Sequence, residues 1–279
     1  MTAAEQCPMW PTTPREPVLV GCSHGTRSPA GRRVVSSILE DVTAATDAEV
    51  REAFVDVQEP AVGDVVADIA RSGGYGVVVP LLVSAGYHVH VDVVQAVERA
   101  DAIRGGCVVS AGALGPDPVL VSILVDRLDE VAVQPGDVVV LAAAGSSDDA
   151  AVSDVHLAAA WLRHRHDGPV LTGFVSAARP SVAEVVAVGR DLLQGRRITG
   201  RRPRVVVASY LLAPGFFHGR LQEAEADQVT RPLAPHPALA DLVLRRFAQA
   251  ASGLRVVGDE RLGRPDEEAG LPAAMFAGR

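Results

Sequence analysis

Short, valine-rich apolar runs recur along the chain and alternate with longer stretches in which apolar positions return every three or four residues. "PVLVGCS" leads into "GRRVVSSILEDVTAA", "VREAFVDV" into "AVGDVVADIARS", "YGVVVPLLV" into "HVDVVQAVERA", and "CVVSAGAL" into "PVLVSILVDRLDEV". The short runs read as buried strands and the periodic stretches as amphipathic helices. Strands linked through helices pair in parallel and are covered on both faces, so the pattern predicts an α/β architecture with a doubly wound parallel sheet.

The same order then begins again. "VVVLAAAGSSDDAAVSDVHLAAAWLRH" echoes the opening strand and helix, "GPVLTGFVSAARPSVAEVVAVGRDLL" echoes the second pair, and "RVVVASYLLAPGFFHGRL" echoes "GVVVPLLVSAGYHVHVD". Gly25 pairs with Gly145 and Pro60 with Pro180, each 120 residues apart; Gly86 pairs with Gly215 at 129, and "LGPDPVL" with "LAPHPAL" at 119. The longer separation is accounted for by the arginine-rich stretch "QGRRITGRRPR". Anchors in one order at nearly constant spacing mark an internal duplication. Two tandem doubly wound parallel-sheet lobes are expected, at residues 17–133 and 134–252, joined near Gln134 to Asp137. Residues 1–16 and 253–279 are rich in Pro, Gly, Ala and charge without apolar periodicity, and read as tails.

Composition narrows the partners. A net charge of −8 with 4% aromatic residues argues against a nucleic-acid surface, which is ordinarily basic or lined with stacking rings. The apolar runs fall short of the roughly 20 residues a membrane span needs, and no signal-peptide pattern opens the chain, so a cytoplasmic protein with no membrane partner is expected. Cys7, Cys22 and Cys107 form no CxxC pair and read as buried or incidental thiols. A small molecule is the expected partner.

The duplication also acts as a control on candidate chemistry, because a residue the fold needs recurs in both copies while one a site needs can survive in only one. His24 ends the first strand, beside Gly25, and its counterpart is Ala144; His88 follows the third strand, and its counterpart is Phe217. Both lie at the carboxyl ends of strands, where doubly wound sheets place their ligand crevice. Both are therefore candidates for function. Glu59, opposite Arg179 in the second copy, and Asp56, opposite Ser176, flank the end of the second strand at the same sheet edge. If the segment after His88 is helical, His88 and Asp92 share a face and His90 points elsewhere; if it is extended, all three share a side. His156, His164 and His166 belong to a helical pattern with a basic end, His218 is offset by one from the position matching His88, and His236 occupies a loop slot held by Asp117 in the first copy; all are read as structural.

Two imidazoles and a carboxylate from three strand ends form a nitrogen and oxygen set suited to a divalent transition metal, and histidine also accepts protons near neutral pH. Arg27, Arg32 and Arg33 stand at the start of a helix, where guanidinium forks suit carboxylates. Gly25 and Gly86 allow close approach of backbone to a flat ligand. Metal insertion into a polycarboxylated ligand that sheds protons would use all of these groups.

"VLVGCSHGTRSPAGRR", "AFVDVQEPAVGDVV", "PLLVSAGYHVHVDV" and "GALGPDPVLVSILVDRL" together resemble the sirohydrochlorin chelatase family, which inserts iron for sirohaem or cobalt in anaerobic cobalamin synthesis. The resemblance covers residues 18 to about 130, and the second lobe, to about 250, is similar to the degenerate half of the longer members. It implies a two-lobed class II chelatase-like fold, sirohydrochlorin held between the lobes, a divalent metal (Fe²⁺ or Co²⁺) as substrate, and no organic cofactor. It also implies that His24 and His88 handle the metal and take pyrrole protons, and that the glutamate of the second strand falls on Glu59. Asp56 stands where the family often has a further acidic residue, so the choice of carboxylate stays open.

Three rival readings follow from the same residues. A metal or tetrapyrrole carrier would keep the lobes without turnover, which retention of both His24 and His88 opposes. A nucleotide-binding protein would need a GxGxxG or GxxxxGK[ST] loop after a strand, and the chain has neither. A Ser23 and His24 dyad is opposed by strand geometry, since neighbours point to opposite faces. Because one chain carries both lobes, a monomer is expected.

Overall fold

The computed structural model of the protein describes residues 16–84, 87–198 and 200–254, and for residues 87–90 the backbone alone. Gly86 and most of both expected tails lie outside the described residues.

The first lobe runs β1 (Val18–Ser23), α1 (Pro29–Ala44), β2 (Val50–Phe54), α2 (Val62–Arg71), β3 (Gly76–Pro80), α3 (Tyr87–Ile103), β4 (Val108–Ser110) and α4 (Pro118–Glu130). The second runs β5 (Val138–Ala143), α5 (Asp149–Arg163), β6 (Val170–Phe174), α6 (Val182–Leu193), β7 (Val205–Ser209), α7 (Phe216–Gln222), β8 (Gln228–Val229) and α8 (Ala238–Ala251). Each lobe holds one four-stranded parallel sheet, ordered β2-β1-β3-β4 and β6-β5-β7-β8. The central strands β1, β3, β5 and β7 are buried along their whole length, as continuous valine runs covered on both faces must be. Helix starts follow local chemistry. Ser28 accepts the Gly31 amide ahead of α1, with Pro29 in its first turn, and Ser181 with Glu184 forms a reciprocal capping box on α6.

The glycine anchors have a backbone cause. Gly25 and Gly145 both sit at φ +91°, and a Cβ on them would lie 2.1 Å from the Asp56 carbonyl oxygen and 1.8 Å from that of Ser176. No side chain fits either turn, so the fold requires glycine in both copies.

The lobes exchange their last helices. α4 packs on β7 and α5 of the second lobe, while α8 packs on α1, β3 and β4 of the first. Two arginines 119 residues apart secure the exchange. Arg127 on α4, 3% exposed, donates to the carbonyls of Pro232, Leu233 and Pro235 at 2.8, 2.8 and 2.6 Å. Arg246 on α8 donates to the carbonyls of Ala113 and Leu114 at 2.9 and 3.1 Å and to Asp117 at 3.1 Å. One core runs continuously between the sheets, with Leu19, Leu81, Leu141 and Tyr210 among its members, and separate cores lie beneath α2 with α3 and beneath α6. Among the described residues, no helix is long and apolar enough to cross a membrane.

The junction at Gln134 to Asp137 is pinned rather than loose. Asp137 is fully buried and accepts the Arg201 guanidinium at 2.7 Å and the Arg204 and Gln134 amides at 2.8 and 3.1 Å. Burial pushes its pKa up, but these donors outweigh that penalty and hold it below the usual carboxylate range.

Candidate functional site

The carboxyl ends of both sheets open onto one cleft of about 950 Å³ between the lobes. Its first-lobe lip is the turn after β1. There Gly25 reverses the chain, the Thr26 amide donates to Gln58 Oε1 at 2.8 Å, and Arg32 Nε donates to the Thr26 carbonyl at 2.8 Å. These bonds fix the backbone on either side of His24, whose carbonyl accepts the Asp56 amide at 3.1 Å. The His24 side chain is exposed in the cleft. Ser23 is 5% exposed, and no hydrogen bond joins the two among the described residues.

Of the sequence-derived candidates, His24, Gly25, Arg27 and Arg32 line the cleft. Arg27 is exposed and makes no ion pair among the described residues, whereas Arg33 is exposed outside the lining. Glu59 and Asp56 occupy the neighbouring turn and bind backbone. Glu59 Oε2 accepts the Ala61 amide at 2.9 Å and Asp56 Oδ1 the Val57 amide at 2.7 Å. His88 and His90 belong to the first turn of α3, and their side chains, like all of Gly86, lie outside the described residues. The segment is helical, which selects the alternative in which positions 88 and 92 share a face one turn apart. Asp92 is exposed, and its charge, secondary to burial, helps push the Cys22 thiol up to about 12. That thiol is inert at neutral pH.

Sequence reading missed Glu52, the one carboxylate among the described residues that line the cleft. It sits on β2 two positions before the buried Phe54, on the same strand face, and accepts the Ser36 hydroxyl at 3.0 Å. Strand alternation around "VREAF" carried that signal. No group of three His, Cys, Asp or Glu side chains converges in metal-binding geometry among the described residues. His156 packs edge to face on Phe174, and His166 and His236 reach the Asp137 carbonyl and Asp126, in keeping with structural roles, whereas His218, which reaches the Thr230 carbonyl, also lines the cleft.

The structure is thus a duplicated parallel α/β frame with one cleft between its lobes, lined by a polar, arginine-bearing turn and an apolar wall. The CbiX family model matches the chain twice, over residues 18–131 and 138–250. The chain therefore belongs to the CbiX family of sirohydrochlorin chelatases, as two copies in tandem. Solved structures share the fold. SirB from Bacillus subtilis with Fe³⁺ is 22% identical with a TM-score of 0.71, covering 85% of this chain and 96% of that one. The sirohydrochlorin chelatase SirB from Bacillus subtilis subspecies spizizenii in complex with cobalt is 21% identical with a TM-score of 0.68, at the same coverage. CbiX, described as the terminal enzyme for biosynthesis of siroheme in denitrifying bacteria, is 15% identical with a TM-score of 0.57, covering 84% and 99%. No curated protein sequence matches the chain significantly.

Proposed function

We propose that the protein inserts a divalent metal, Fe²⁺ in the first instance, into sirohydrochlorin. The observation that carries the reading is the asymmetry of the cleft. The turns after β1 and β5 share the glycine and its φ, yet only the first presents an imidazole, and Ala144 lies at the matching position. The turn does not need an imidazole, which supports a chemical role for His24.

In this reading His24 and His88 receive the metal and accept the two pyrrole N–H protons released as the metal enters the ring, with Glu59 positioning the metal or relaying a proton. Arg27 binds a peripheral carboxylate, and Gly25 and Gly86 let the backbone approach the macrocycle. Residues 17–133 supply the chemistry, and residues 134–252 wall the cleft. Each chain carries both walls, which supports an enzyme active as a monomer. Cobalt is the alternative metal. The ligand types serve either ion, and one structural neighbour was solved with Fe³⁺ and another with cobalt.

The test is anaerobic mixing of the purified protein with sirohydrochlorin and either Fe²⁺ or Co²⁺, following the pigment's absorbance. Insertion faster than the protein-free reaction is expected with at least one metal. Equal rates with and without protein for both metals would leave a carrier as the better reading.

A further inference from the structure

The second lobe has no histidine at the positions matching His24 and His88, yet it still presents side chains to the cleft. Phe216 and Phe217 open α7, stand 76% and 39% exposed, and pack edge to face with ring centroids 5.6 Å apart. Both line the cleft. Aromatic side chains gain much from burial, so an adjacent pair left open in a concave wall marks a surface suited to an apolar face. The loop that carries them lies against the His24 turn. A Cβ on Gly215 would lie 3.7 Å from Thr26 Oγ1, and one on Gly31 would lie 2.5 Å from the Pro214 carbonyl oxygen. Leu211, Leu212, Ala213 and Pro214 continue the apolar wall, which meets the turn bearing His24, Arg27 and Arg32 along one edge of the cleft. At the separation of 129 residues, Phe216 and Phe217 match Tyr87 and His88. The second copy thus carries a phenyl where the first carries a candidate ligating imidazole.

We propose that Phe216 and Phe217 are positioning residues, forming the apolar face on which the flat macrocycle lies while its carboxylates meet Arg27 and Arg32, an inference that rests on the chelatase reading above. Two chemically opposite walls orient a ligand that is apolar across its plane and anionic at its rim. The second lobe is then a substrate-gripping half.

The test titrates metal-free sirohydrochlorin into the full-length protein and follows the pigment's fluorescence. Phe216→Ser and Phe217→Ser are each expected to weaken binding about tenfold and the double variant about a hundredfold, the scale of one stacking contact per ring. In the insertion assay the loss should appear as a raised KM, with kcat changed much less. Phe217→Tyr should restore binding, and Phe216→Ser should leave the thermal melt in place, because that side chain is 76% exposed. If the wild-type protein does not bind sirohydrochlorin, the chelatase reading fails and this inference with it. If it binds and inserts metal but the double serine variant binds as tightly, this inference alone fails. A concentration-dependent dimer that the double variant abolishes, with tetrapyrrole binding unchanged, would assign the pair to a contact between copies and likewise overturn it.

Discussion

Gly25→Ala and Gly145→Ala form a matched pair of perturbations whose outcome separates a fold requirement from a substrate contact. At φ +91° an alanine costs about 1–2 kcal/mol in backbone strain. Its Cβ would also stand 2.1 Å from the Asp56 carbonyl oxygen, so the 56 turn must retreat by about 1 Å to reach van der Waals contact. That retreat strains the bond from the Asp56 amide to the His24 carbonyl, now 3.1 Å, worth about another 1 kcal/mol. A loss of about 3 kcal/mol is expected, which in a chain of this size lowers Tm by roughly 6–12 °C. The second copy repeats the geometry, with a Cβ 1.8 Å from the Ser176 carbonyl oxygen and a 2.9 Å bond from the Ser176 amide to the Ala144 carbonyl. Gly145→Ala should therefore destabilise by a similar amount, within about 1 kcal/mol, although its turn carries no histidine. Thermal melts followed by circular dichroism read both. A Gly25→Ala protein as stable as wild type would refute the assignment and leave substrate approach as the reason for that glycine.

Arg127→Ala removes a buried donor from three carbonyls and should cost about 3–5 kcal/mol, against about 1–2 kcal/mol for the more exposed Arg246→Ala, both measured by urea midpoint; equal small losses would mean the exchanged helices hold without their clasps. Asp137→Asn should cost about 2–3 kcal/mol at pH 7. Because the folded pKa of Asp137 is lowered, its contribution is complete above its unfolded value of about 4 and disappears as pH falls through the folded one, so wild type and Asn variant should converge in acid. A gap that persists unchanged at low pH would show that the charge is not responsible. Arg27→Ala should raise KM for the tetrapyrrole by about fivefold and reduce its dependence on salt, without lowering thermal stability, since Arg27 is exposed; an unchanged KM at low ionic strength would remove it from the carboxylate site.

The strands, their order of recurrence and the glycine turns were legible because backbone physics leaves few alternatives. A continuous valine run must be covered on both faces, and a left-handed φ excludes a side chain. Exchange of α4 and α8 was not legible, since hydrophobic period shows which helix face is buried but not which sheet buries it. Nothing in the period therefore sets Arg127 apart from a surface arginine of an amphipathic helix, and nothing in the junction at Gln134 to Asp137 marks a buried carboxylate. At the site, His24 stood out only because Ala144 replaces it. Carboxylates were harder, because position along the chain does not say where a side chain turns. Glu59 and Asp56 bind backbone amides of their own turn, while Glu52, a charge on a half-buried strand, faces the cleft.

The measurement that bears most directly on the metal-handling role of the first lobe is the rate of metal insertion into sirohydrochlorin by His24→Ala and His88→Ala, at saturating metal, beside their melting curves. His24 is exposed, so stability should stay within about 0.5 kcal/mol of wild type for that variant. Loss of a group that accepts protons in the transition state should lower the rate by about 10²–10⁴-fold. Two folded variants that insert metal as fast as wild type would contradict the account.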